Sequence, residues 1–142
     1  MGNTNMDDTM DAARVLERID KERMVKDVID MVNIASPTGS EAAMGEFMEA
    51  RYREMGLDVL RQEVEPGRPN IIGILRGTGG GPTLQFDGHL DVSFTGTEDF
   101  MRGGASTSFA RRATVDGQEW IFGAGSYNMK AAHGAYIAAA DA

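Results

Sequence analysis

The sequence predicts an α/β layered domain, with helices flanking a sheet, and three observations carry that reading. Apolar residues recur at three- and four-residue spacing from Asp11 to Met55. Four short strand-like pieces lie between Leu57 and Phe122. A helix of small residues then begins near Asn128. Helices that alternate with short strands bury their apolar faces by layering on a sheet.

Taken in order, residues 1–10 are polar and aperiodic, and a frayed tail is expected there. Val15, Leu16 and Ile19, then Val25, Val28, Ile29 and Val32, give one long or kinked helix from Asp11 to about Asn33. Pro37 and Gly39 stop it. Thr38-x-x-Glu41 has the form of a capping box for the next helix, with Ser40 as a rival cap. That helix runs to about Met55, buries Met44, Phe47, Met48, Tyr52 and Met55, and ends at the C-cap glycine Gly56.

Leu57 to Val64 has the mixed polarity of an edge strand, and Asn70 to Leu75 is apolar and β-branched. Gly77 to Pro82 is a turn. No Gly-Lys-Ser/Thr closes its glycine run, so a phosphate loop is disfavoured. Thr83 to Asp87 is expected as a strand. Thr95 to Thr114 is expected as a long loop beside a substrate entrance, in which Arg111-Arg112 is a solvated pair. Val115 to Phe122 should form a turn and a short strand.

The 142 residues suffice for one domain with a core. A net charge of -8 disfavours nucleic acid and anionic membranes as partners, because nothing offsets phosphate repulsion. Cysteine is absent, which excludes disulfides, thiolate catalysis and Cys-ligated zinc. With no apolar stretch of spanning length and no signal-peptide pattern, a cytoplasmic location is expected.

Chemistry concentrates in two segments. Phe86-Asp87-Gly88-His89-Leu90-Asp91-Val92 places a histidine and an aspartate two residues apart at an expected strand end, where open α/β sheets bind ligands. The imidazole of such a pair can hold a divalent ion, while the carboxylate orients the ring or faces the substrate. The bland alternative is a core histidine beside a turn aspartate. The second segment is Gly123-Ala124-Gly125-Ser126-Tyr127-Asn128-Met129-Lys130.

Together the two segments resemble the motifs of the M20 metallopeptidase and aminoacylase superfamily, which includes glutamate-releasing carboxypeptidases, acetylornithine deacetylase and succinyl-diaminopimelate desuccinylase. Ile34 to Glu41 and Met55 to Val59 resemble the family's opening helix-loop-helix and helix-to-strand turn. The resemblance implies the amino-terminal part of a layered catalytic domain with a mixed, mostly parallel sheet flanked by helices. Residues 11–142 would form that incomplete catalytic domain, the remainder and a dimerisation domain being absent.

By the same resemblance, His89 is a metal ligand and Asp91 its carboxylate partner in the catalytic centre. Asn128 occupies the position of an aspartate that usually bridges two metals. A carboxamide offers one oxygen and no charge, so one zinc or manganese ion is expected rather than two. The family's general-base glutamate would lie beyond Ala142. The implied reaction is hydrolysis of a C–N bond in a small molecule, an N-acyl amino acid or short peptide, by a homo-oligomer of the full protein. Deamination of an aromatic amine, as in a nitroanthranilate aminohydrolase, is the alternative within the superfamily; a non-catalytic subunit is the alternative outside enzymology. Asn128 could instead serve as a helix N-cap. His133 is expected to be a surface or packed histidine, Lys130 to pair with a carboxylate, and the ten methionines to be core.

Overall fold

The computed structural model describes residues 6–94 and 109–142, and the expected tail and loop fall partly outside them. Helices α1 (Met6–Arg18), α2 (Lys21–Asn33) and α3 (Ala42–Glu54) lead into a hairpin of β1 (Asp58–Glu65) and β2 (Arg68–Ile74). A second hairpin, β3 (Arg111–Val115) and β4 (Gln118–Phe122), precedes α4 (Ala131–Asp141). The chain is thus of mixed helix and strand.

The long amino-terminal helix is broken at Ile19-Asp20. Asp20 takes an extended backbone, and its carboxylate accepts the Arg23 amide at 2.9 Å, capping α2. At the other end of α3, Gly56 adopts φ 77° and the Leu57 amide returns to the Tyr52 carbonyl, as the sequence implied. The capping box does not form. Glu41 has no side-chain cap bond to the helix; it accepts the Gly39 amide and both arms of Arg68. Burial alone would raise the Glu41 pKa, but the Arg68 fork and the amide outweigh it and hold it low. The Thr38 hydroxyl is engaged elsewhere, on Asp91.

The core lies where α2, α3 and α4 meet. Met31, Val32, Met44, Met48 and Ile137 are almost fully buried there. A side chain at Gly134 would collide with Val28, so its absence sets how closely α4 approaches α2. Beside this apolar cluster, Asp27 of α2 accepts Arg51 of α3 at 3.0 Å and Arg23 at 3.2 Å, and Arg51 reaches Asp141 of α4 at 3.0 Å. Three helices are therefore tied by one buried guanidinium.

The expected mostly parallel sheet is corrected. Both sheets have two strands, and both are antiparallel. Helix α3 covers only one face of the β1–β2 hairpin, the face bearing Ile71 and Gly73, where Tyr52 occupies the space a side chain at Gly73 would need. Strand alternation turns Leu60, Ile72 and Ile74 to the opposite, exposed face. Thr83 to Asp87, expected as a strand, joins no ladder among the described residues, and Leu84 is 78% exposed. Period-2 apolarity gives a strand only if a neighbour supplies hydrogen bonds. Conversely, Arg111 to Thr114, expected as loop, is β3. Asp116 and Gly117, with φ 51° and 77°, form the tight turn that pairs β3 with β4.

Replacing Arg51 by Met would keep bulk in the interface but leave buried Asp27 with Arg23 alone. The variant should lose roughly 3 kcal/mol, seen as a lower urea midpoint at unchanged slope. An unmoved midpoint would show that the network adds no stability.

Candidate functional site

The two chemistry-bearing segments meet. One parallel bridge joins Pro37 to Val92: the Val92 amide donates to the Ser36 carbonyl at 2.8 Å, and the Thr38 amide to the Val92 carbonyl at 3.3 Å. The loop after α2 thereby anchors the His89–Asp91 turn. Gly125, at φ 77°, sits so close to Val92 that any side chain there would overlap it. A wide turn over Ser126–Lys130 follows and brings Asn128 back towards His89. Gly88 is similarly constrained, because Met129 and His133 occupy the space its side chain would fill.

The geometry at His89 is specific. Its Nδ1–H faces the Asp91 carbonyl at 2.8 Å and the Asp91 carboxylate at 3.0 Å. Its Nε2 lies 3.0 Å from Asn128 Oδ1, across 39 residues of sequence. The second Asp91 oxygen accepts the Thr38 hydroxyl. With Nδ1 protonated towards Asp91, Nε2 of a neutral ring presents a lone pair to another acceptor. Two acceptors at that spacing repel unless a proton or a cation lies between them or the amide turns its nitrogen towards Nε2. The Asn128 contact is the largest single cause that raises the His89 pKa, with Asp91 adding to it through its carbonyl and its carboxylate, against a smaller opposing effect of burial.

Asn128 is not a helix cap. Its backbone is extended (φ -129°, ψ 96°), and the residue before α4 makes no side-chain cap bond. Among the described residues, Lys130 does not pair with a carboxylate as expected. It is buried, and its ammonium donates to the carbonyls of Met31 at 2.8 Å and Ile34 at 2.6 Å, at the end of α2. Burial pushes its pKa down to about 8, while the carbonyl end of a helix is a favourable place for a cation. His133 is buried and its Nε2 lies 2.9 Å from the His89 carbonyl. Burial pushes its pKa below the ordinary value.

His89 and Asp91 border a broad groove of about 1260 Å³ whose walls include Ile72, Leu84, Phe86 and Tyr136. Among the described residues, no group of three or more His, Asp or Glu side chains gathers in a form that could hold a metal. No helix of the described residues is long and apolar enough to cross a membrane. No family model matches the chain, and no solved structure matches it.

Sequence reasoning missed Thr38, whose hydroxyl was assigned to a cap, and the carbonyl partners of Lys130. Both depend on the long-range bridge to Val92 and on α2–α4 packing, for which local spacing gives no signal.

Lys130→Met would leave two carbonyls with no ammonium donor. A loss of about 2 kcal/mol is expected, measured by thermal or urea unfolding; stability within a few tenths of the parent would contradict this role for the ammonium.

Proposed function

We propose that His89 and Asn128 supply part of a divalent-metal site in a hydrolase of C–N bonds in small molecules. The single observation that supports this reading is the 3.0 Å approach of His89 Nε2 to Asn128 Oδ1, with Asp91 on the far side of the ring. Two ligands about 2.1 Å from one ion at 90–110° lie roughly 3.0–3.4 Å apart, so the pair already has the spacing of neighbouring ligands. A carboxylate on the opposite ring nitrogen fixes the tautomer that leaves Nε2 free. The donor set, one imidazole nitrogen and one amide oxygen, suits zinc or manganese.

A divalent ion held there would lower the pKa of water and polarise a carbonyl. The residues in hand do the preparatory work. Asp91 orients His89, Thr38 orients Asp91, and Asn128 adds an oxygen without adding charge. Both Asp91 oxygens are engaged, one by His89 and one by Thr38, so we assign it an orienting role and place the general base, with the remaining ligands, outside these residues. The resemblance to the M20 superfamily points to an N-acyl amino acid or short peptide as substrate.

Isothermal titration of the chain with Zn²⁺ is expected to show one site, lost in His89→Ala and tightened in Asn128→Asp by the added charge. Two equivalents per chain would refute the single-ion reading, and no binding by a protein that also carries the remaining ligands would remove the metal reading altogether.

The ion and the proton compete for Nε2. Because the His89 pKa is raised above its usual 6.5, affinity should fall about tenfold per pH unit once the pH drops below that raised value. Above it, His89 contributes no further change. A titration series from pH 5 to 8 in which affinity is flat would exclude His89 as a ligand.

A further inference from the structure

We infer that His133 is a positioning residue for the metal-binding turn: its Nε2–H holds the His89 backbone carbonyl, and so fixes where the His89 ring meets Asn128. The inference rests on the metal reading above but concerns a different residue. His133 lies on α4, 44 positions from His89, and is only 5% exposed. Its ring donates to the His89 carbonyl at 2.9 Å. A buried imidazole on a helix otherwise packed by Gly134, Ile137 and Ala138 is costly unless its polar atoms are used.

The surroundings limit how far that ring can move. Tyr136 meets it edge-on, with centroids 6.1 Å apart, and itself stacks on Phe86 at 4.7 Å. Phe86 belongs to the segment that leads into His89, so α4 grips both sides of the turn. On the inner side, Gly88 has no side chain, which lets His133 come close to the backbone. Asp91 and Thr38 set the rotation of the His89 ring; His133 sets the position of the backbone that carries it. Without the donor, the His89 carbonyl would turn towards solvent and the ring would leave Asn128.

Three forms of the chain test this: the parent, His133→Phe, which keeps the ring but not the donor, and His133→Gln, whose amide nitrogen can reach the place of Nε2. Zn²⁺ affinity by calorimetry should fall 10- to 100-fold in the Phe variant and recover to within about threefold in Gln. In metal-free protein, NMR should show a nuclear Overhauser contact between the His89 ring and the Asn128 side-chain amide in the parent and in Gln, lost in Phe. Should Phe fail to fold, judged by circular dichroism, His133→Met replaces it. Parent-like affinity and an intact contact in the folded donor-less variant overturn the inference, as does failure of Gln to restore either. If the parent binds no metal, the site needs the ligands that lie outside these residues, and the Overhauser contact alone decides whether His133 positions His89.

Discussion

The arrangement of the site depends on a buried ammonium. Lys130 follows Asn128 by two residues and donates to the last carbonyls of α2, at Met31 and Ile34. From Ile34 the chain runs directly to Ser36 and Thr38. These bind Val92 through the backbone and Asp91 through a side chain. Asp91 holds His89, and His89 returns to Asn128. The contacts form a closed circuit, within which the Ser36 hydroxyl, alone among the buried side-chain polar atoms of the described residues, has no hydrogen-bond partner. Burying a lysine is costly, and its depressed pKa expresses that cost. The two carbonyls at the helix end offset part of it, that of Met31 while also accepting the Ile34 amide.

Around this circuit the molecule is unevenly packed. Toward the helices it is dense: Met31, Met44 and Ile137 fill the interior, and Arg51 joins three helices through Asp27 and Asp141. Methionine suits such a junction, since its unbranched chain fills irregular gaps. Toward the β1–β2 hairpin, packing stops after one layer, and Leu60, Ile72, Leu84 and Phe86 stay open to solvent. The segment carrying His89 crosses from the open region into the dense one. Its position is therefore set at the Val92 end and by His133, not by strand neighbours.

What could be read from the sequence follows from range. Helix α3, its C-cap at Gly56 and its buried Met44 and Met48 follow from spacing within a few residues, and those features agree. So does the Asp116-Gly117 turn. The break at Asp20 was open in a reading that allowed a kink, yet its cap needs the Arg23 amide at a particular register. Strand β3 escaped because Arg111-Arg112 is polar. Its place is fixed by the tight turn and by Arg112 bonding to Glu119 and Glu22. Thr83–Asp87 was legible as extended but not as unpaired, because pairing belongs to two segments and sequence pattern describes one. At the site, His89, Asp91 and Asn128 could be nominated from residue type and resemblance. The supports at Thr38, Lys130 and His133 could not, since each contacts a backbone or side chain more than 40 residues away.

The electrostatics of Asn128 bear most on what this site could hold. Among the described residues, the carboxylate that contacts His89 is that of Asp91, and it is shared between an imidazole and a hydroxyl. Asn128 contributes a dipole in place of a second charge. A single dication beside a neutral imidazole and a neutral amide would draw its compensation from Asp91 through the ring, which polarises the histidine towards imidazolate character and strengthens its bond. A second dication would find no negative group between it and the first, and their repulsion in a partly desolvated turn would exceed what Asp91 offsets. In the proposed reading, the amide that would make a two-ion bridge unfavourable is also the group whose oxygen lies 3.0 Å from Nε2.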